Sequence, residues 1–118
     1  MTATQVRGVL GAPAAVRRGS NDFGRYREFR YRGLRVFFQG VQRVTSVSTT
    51  RRGERTRSGI GVGSSERRLR RKMRGVRCAT ELRVRRCTLG RLLPGRRVTD
   101  FLIRRGRVVQ VSIGLVID

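Results

Sequence analysis

The sequence predicts an α+β fold made of two tandem units, each a short helix packed on an antiparallel β-sheet of about three strands. Two repeated patterns predict it. The helix start at Thr2 recurs 63 residues later at Ser65, and the strand motif at Arg43 recurs 64 residues later at Arg107. Agreement between the two offsets indicates an internal duplication. We expect a first unit over 1–49, a linker over 50–59 and a second unit over 60–118.

The first helix is predicted in the stretch MTATQVRGVLGAP. Thr2 and Gln5 have the spacing of a capping box, in which each side chain accepts a hydrogen bond from the other residue's backbone amide. Met1 and Val6 stand where a hydrophobic staple belongs. Gly11, followed closely by a proline, is a typical helix end.

A glycine-rich stretch, GIGVGSSE, leads into the second predicted helix. Alternate glycines before a helix start are found in phosphate-binding turns. A dinucleotide fingerprint, however, requires a glycine where Ser64 stands, and no Gly-Lys-Ser/Thr sequence follows. We therefore predict that Gly61 and Gly63 allow the backbone to change direction before a helix. Ser65 caps this helix, and Leu69 packs it against the core.

Strands are predicted on either side of short glycine turns. YREFRY and LRVFFQ flank Arg32-Gly33, and RVTSVST follows Gly40. The second unit has LRVRRC, RRVTDFLIRR and RVVQVSIGLVI, with turns at Gly95 and Gly106. The predicted core residues are Leu10, Val36, Phe38, Val44, Leu69, Met73, Phe101, Ile103, Val109 and Val111.

The charge of the chain is strongly positive. Its 118 residues contain 29 Lys or Arg and 7 Asp or Glu, for a formal net charge of +22, and Lys72 is the single lysine. A charge of this size favours polyanionic partners such as nucleic acid. Arginine-rich codon usage in a GC-rich genome would give the same bias, so both explanations stay open.

Arginines alternate with aromatic residues in the stretch GRYREFRYRGLRVFF. Because alternate residues of a strand share one face, Phe29 and Tyr31 are predicted either to form a stacking surface for bases or to fill the core beneath a helix. The candidate residues for contact with a polyanion or a partner are Arg25, Arg27, Arg30, Arg32, Arg35, Phe29, Tyr31 and Phe37.

The chain lacks the residues that most enzymes require. It has no histidine, and its seven carboxylates are dispersed without paired spacing. We expect no catalytic residue, no cofactor and no metal site. Cys78 and Cys87 are the only cysteines, and a disulfide between them would indicate an oxidising compartment. Two free thiols in a cytosolic protein are the alternative.

Four segments, 1–13, 31–47, 60–75 and 101–111, resemble the SmpA/OmlA outer-membrane lipoprotein fold, through the "LG.P" helix end and the motif GLRVFF..G.V..V. Their tandem arrangement is similar to the β-lactamase-inhibitor-protein fold. The resemblance implies an exported, non-enzymatic binding protein whose sheet faces a protein partner. It does not imply β-lactamase inhibition, because the hairpins at Arg32-Gly33 and 39–41 carry no carboxylate.

The predicted function is therefore binding without catalysis, by an exported module that engages a protein partner through its sheet. The alternative is an arginine-rich nucleic-acid or polyanion binder in the cytoplasm. The resemblance implies residues before Met1, so we expect a gene product that starts upstream and a periplasmic or secreted protein; a true start at Met1 would indicate the cytoplasm. No apolar run of about 18 residues is present, so no transmembrane segment is expected.

Overall fold

The chain forms one eight-stranded antiparallel sheet with two short helices in a computed structural model that describes residues 2–40, 44–91, 93 and 95–115. Met1 and Arg43, used in the sequence patterns, lie outside the described residues. The first half contains α1 (Ala3–Leu10), β1 (Ala15–Asn21), β2 (Gly24–Tyr31), β3 (Leu34–Gln39) and β4 (Val44–Thr49). The second half contains α2 (Glu66–Lys72), β5 (Arg77–Glu81), β6 (Val84–Leu89), β7 (Arg97–Arg104) and β8 (Arg107–Leu115).

The strands follow the order β1-β2-β3-β4-β8-β7-β6-β5. Each half is a meander that starts at an outer edge, and the last strands of the two meanders meet in the middle of the sheet. There β4 pairs with β8 from Ser46 opposite Gly114 to Thr49 opposite Val111. The two halves therefore share one backbone hydrogen-bond ladder.

The predicted α+β fold of two tandem helix-plus-sheet units is wrong. Strands account for 53% of the chain and helices for only 14%, and the strands form a single sheet. Each half also contributes four strands instead of the predicted three, and the additional strands are β1 and β5. These two strands, AVRRGSN and RCATE, occupy the sheet edges and are almost entirely exposed, so their sequences lack an apolar alternation.

Both helix starts are capped as predicted. Thr2 and Gln5 form the capping box, with Gln5 N donating to Thr2 Oγ1 at 3.2 Å and Thr2 N donating to Gln5 Oε1 at 2.9 Å. Ser65 caps α2 by accepting a hydrogen bond from Arg68 N at 3.1 Å. Each helix docks through one buried side chain, Val6 in α1 and Leu69 in α2.

Two apolar clusters fill the space between the helices and the sheet. Val6 packs with Phe29, Val36 and Phe38. Leu69 packs with residues of β6, β7 and β8 and with the segment before α2, namely Cys87, Phe101, Ile103, Val108, Val111, Ile60 and Val62. The strand register puts both clusters on the same side of the sheet, since Val36 lies opposite Val47, Val47 opposite Ile113, and Val111 opposite Phe101. Both helices therefore cover one side and leave the other open.

Most of the predicted core is buried. Val36, Phe38, Leu69, Phe101, Ile103 and Val111 are buried, and Val44, Met73 and Val109 are partly buried. Leu10 is 40% exposed, contrary to the prediction. Val108 is buried instead of Val109, because the register between β7 and β8 shifts at Leu102 and Ile103 and places Val108 opposite Ile103.

Candidate binding face

The side of the sheet opposite the helices, here called the open face, presents the alternate residues that the core does not use. On β2 these are Tyr26, Glu28 and Arg30, and on β3 they are Arg35, Phe37 and Gln39. Arg17 of β1 and Ser48 of β4 extend the same face, as do Gln110 and Ser112 of β8. Residues far apart in sequence thus meet on one surface.

An aromatic pair lies near the β1 side of the open face. The rings of Tyr26 and Phe37 stack with centroids 5.2 Å apart and an interplanar angle of 28°. Gly19, directly opposite Tyr26 on β1, makes this placement possible, because a Cβ there would lie 2.5 Å from the Tyr26 hydroxyl oxygen. The Tyr26 ring is thus accommodated over the β1 backbone, and both rings remain partly exposed.

Two arginines lie directly opposite each other at the end of the open face near the β2–β3 turn. Arg30 and Arg35 line a cavity of about 280 Å³ together with Ser48, Thr50 and Gln110, here called the Arg30–Arg35 pocket; Tyr31, Gly33 and Leu34 complete its lining. Like charges at directly opposed positions destabilise a sheet.

One carboxylate relieves this repulsion in part. Arg30 Nε donates to Glu28 Oε1 at 2.7 Å. Arg35 is exposed and makes no ion pair with any residue that the structure describes. The pocket therefore has guanidinium, hydroxyl and amide donors available for an anionic group such as a carboxylate or a phosphate.

The second half of the open face is also concave. A shallow cavity of about 770 Å³ is lined by Arg77, Ala79, Glu81, Leu82, Val84, Arg86, Thr88 and Gly90. Beside it, Thr88 Oγ1 donates to Asp100 Oδ1 at 2.7 Å. By strand register the open face carries the arginines Arg17, Arg30, Arg35, Arg77, Arg86, Arg104 and Arg107 and the carboxylates Glu28, Glu81 and Asp100. Its charge is positive but mixed.

The arginine–aromatic stretch does not form one surface. Of the predicted contact residues, Arg30, Arg35 and Phe37 lie on the open face, whereas Arg27, Phe29 and Tyr31 lie on the helix side. Arg25 and Arg32 lie near the ends of β2, and both are exposed.

The helix-side residues are engaged in packing. Phe29 is buried and meets Phe38 at 4.8 Å with an interplanar angle of 62°. The Arg27 guanidinium lies over the Phe38 ring at 5.4 Å, and the Tyr31 hydroxyl donates to Gly11 O at 2.9 Å. Phe29 therefore belongs to the core, the second of the two predicted alternatives, and does not form a stacking surface with Tyr31.

The sequence reasoning missed the residues that other strands bring to the open face. Tyr26 was the available signal, because it has the same period-two phase as Glu28 and Arg30, opposite to that of Phe29. Ser48 lies directly opposite Arg35 in the β3–β4 register, whereas Gln110 gave no signal, since only the β4–β8 pairing brings it beside Arg35.

The GIGVGSSE stretch serves the structure and not a phosphate. Gly63 N donates to Val108 O at 2.8 Å and Ser64 N to Gly61 O at 3.0 Å, so these amides already have partners. Gly61 N donates to the buried Ser64 Oγ at 3.1 Å, and a Cβ on Gly61 would lie 2.5 Å from Glu54 O. Ile60 is fully buried in the second cluster.

A disulfide joins Cys78 and Cys87, which lie directly opposite each other on β5 and β6. Glu66 lies close to both sulfur atoms, and these three residues are the one group among the described residues with the composition and proximity of a metal site. The sulfur atoms are bonded to each other, and Glu66 forms a bidentate pair with Arg85, including Arg85 Nη2 to Glu66 Oε2 at 2.8 Å. The hydrogen bond from Arg85 holds the pKa of Glu66 below its ordinary value despite some desolvation, and the charge of Arg70 acts in the same direction.

Comparisons of the chain with protein-family models, with curated proteins and with solved structures found no match. The resemblance to the SmpA/OmlA fold and to the β-lactamase-inhibitor-protein fold therefore stays an expectation from sequence. In the part of the chain that the structure describes, no helix is long and apolar enough to cross a membrane.

Proposed function

We propose that the chain is a non-enzymatic binding protein that uses the open face of its sheet to bind an acidic surface of a protein partner. The observation that carries this proposal is the position of both helices on one side of the sheet. It leaves the Arg30–Arg35 pocket and the Tyr26–Phe37 pair accessible on the other side. A sheet surface with aromatic and arginine side chains has residue types that are enriched at protein interfaces.

The charge pattern of the open face favours an acidic protein over nucleic acid. Glu28 lies between the pocket and the aromatic pair, and Glu81 and Asp100 lie on the other half. A continuous phosphate backbone crossing this face would meet those carboxylates, whereas a protein surface can place its acidic groups at the arginines alone. Tyr26 and Phe37 also cover one ring face of each other, which leaves less area for stacked bases.

The disulfide supports an exported protein. Disulfides persist in oxidising compartments and are rare in the cytosol. A periplasmic or secreted location is therefore part of the proposal. The location is checked by fractionation of the native cells, and a chain recovered from the cytoplasm contradicts it.

The experiment compares two double variants with the same net charge. Arg30→Gln/Arg35→Gln removes the pocket charges, and Arg67→Gln/Arg71→Gln removes two charges from α2 on the other side. Binding of a fluorescein-labelled oligoglutamate peptide is measured by anisotropy at physiological salt. We expect the pocket variant to bind about tenfold more weakly than wild type, the sum of two exposed ion pairs. The affinity of the α2 variant for the peptide should differ from that of wild type by less than about twofold, because solvent and salt screen the charges of Arg67 and Arg71 from a peptide on the open face.

Two outcomes contradict the proposal. Equal weakening by both double variants would show that binding follows net charge and has no defined site. An oligothymidylate of matched charge that binds more tightly than the peptide, and depends on Arg30 and Arg35, would establish the nucleic-acid alternative in its place.

A further inference from the structure

A second candidate site lies on the helix side of the sheet, away from the open face. A half-open apolar groove of about 410 Å³ runs beside α1 over β3, β4 and β8. Its apolar lining is Val6, Val9, Leu10, Leu34, Val36, Val44, Val47, Ile113 and Leu115. Several of these side chains are well exposed, with Val9 at 69%, Ile113 at 47% and Leu115 at 42%. Exposed apolar side chains that cluster on one surface of a protein with a net charge of +22 indicate a binding site.

One charged side chain stands at the groove. Arg97, which lies opposite Leu115 in the β7–β8 register, is the single charged residue among the described residues of its lining. Arg97 is exposed and has no ion-pair partner among the residues that the structure describes. An apolar groove with one guanidinium in its lining matches a molecule with an apolar body and one anionic end.

The surrounding backbone argues against an extended peptide as the occupant. The strands under the groove, β3, β4 and β8, are interior strands whose two sides are both paired in the sheet. A bound peptide would leave its own amide and carbonyl groups without partners, which is costly in an apolar site. An acyl chain has no such groups.

Two bulkier occupants are also disfavoured. A cavity of about 410 Å³ is in the range of small-molecule sites and too small for a helix about 10–12 Å across. A second copy of this chain would bring another +22 charge to the surface. We propose that the groove binds a single-chain amphiphile with a carboxylate head group, such as a free fatty acid, whose chain lies against Leu10 and Ile113 and whose carboxylate pairs with Arg97.

Titration calorimetry with octanoate, decanoate and dodecanoate, each below its micelle concentration, tests the proposal on the wild-type chain. Each added pair of methylenes should strengthen binding by about fourfold to fifteenfold until the groove is full, depending on how completely they are buried. Dodecyltrimethylammonium, with the same chain and the opposite charge, should bind much more weakly. Affinity that does not depend on chain length, or the absence of binding, would overturn the proposal.

Variants separate the groove from the general charge of the protein. Arg97→Gln should weaken dodecanoate binding about fivefold, while Arg67→Gln, the same change at an exposed position on α2, leaves it unaltered. Ile113→Gln should reduce the dependence on chain length, while Leu82→Gln, at a position 97% exposed, does not. Equal weakening by Arg97→Gln and Arg67→Gln refutes the site. Binding to phosphatidylglycerol vesicles that requires Ile113, without any binding of dodecanoate, refutes it in favour of a membrane contact.

Discussion

Replacement of Leu69 by alanine tests whether the sheet holds the two halves of the chain together as one cooperative unit. Leu69 is fully buried and is the side chain that docks α2 in the second apolar cluster. Loss of its three carbons beyond Cβ costs about 2.4 kcal/mol in transfer free energy, at about 0.8 kcal/mol per methylene. The remaining cavity raises the loss in unfolding free energy to about 3–4 kcal/mol. With an unfolding entropy of about 0.25 kcal/mol/K for a chain of this length, Tm should fall by about 12–16 °C.

The aromatic composition of the chain provides the assay. Its two tyrosines, Tyr26 and Tyr31, both belong to β2 in the first half, and it has no tryptophan. Tyrosine fluorescence therefore reports on the half that does not contain Leu69, whereas far-UV circular dichroism reports on the whole sheet. Because β4 and β8 share one ladder, we expect both signals to shift together to the lower temperature.

A single cooperative unit is refuted if the tyrosine transition of Leu69→Ala stays at the wild-type temperature while the circular dichroism becomes biphasic. That result would mean that 1–49 and 60–118 unfold as independent domains. Leu82→Ala is the control, since it removes the same three carbons from a side chain that is 97% exposed and should change the unfolding free energy by less than about 0.5 kcal/mol.

Two further predictions concern the second half of the chain. Folding lowers the pKa of Glu66 from its ordinary value of 4.5, so the contribution of Glu66 to stability is complete above that pH and is lost as the pH falls through the lower folded pKa. In urea unfolding midpoints measured against pH, Glu66→Gln should therefore reduce the fall of the midpoint at acid pH. An unchanged fall would exclude Glu66 as its source. Reduction of the Cys78–Cys87 disulfide should add two daltons to the intact mass and, for residues 9 apart, lower the unfolding free energy by about 2–3 kcal/mol. A native chain whose mass does not change on reduction would contradict the disulfide.

Local signals in the sequence were sufficient for the helix starts and the inner strands. The Thr2–Gln5 capping box and the Ser65 cap depend on residues within one turn, so their spacing alone identifies them. Strands β2 and β3 carry a clear alternation because one of their sides is buried by Phe29, Val36 and neighbouring core residues. Such elements can be predicted from sequence because the residues that they bury recur at the regular spacing of a helix or a strand.

Edge strands and the binding face could not be derived in this way. A strand at the edge of a sheet is stabilised by backbone pairing on one side and needs little burial, so β1 and β5 look like polar loops. The open face depends on which strands become neighbours. Without the β4–β8 pairing, nothing in the sequence brings Gln110 to Arg35.

The fold also leaves electrostatic repulsion in place that a bound anion would remove. Arginine faces arginine across neighbouring strands at three positions, Arg18 opposite Arg27, Arg30 opposite Arg35 and Arg104 opposite Arg107. Only four ion pairs are formed among the described residues, and Glu66 takes part in two of them. A ligand that binds the folded state and not the unfolded state raises the unfolding free energy of the protein. For an anion bound here, part of that increase comes from relief of the repulsion between the paired arginines. Salt screens the repulsion at every exposed arginine pair, whereas an acidic partner bound in the Arg30–Arg35 pocket relieves it at that pair alone. At equal ionic strength, Arg30→Gln/Arg35→Gln therefore removes the stabilisation by the partner and leaves the screening by salt at the other pairs.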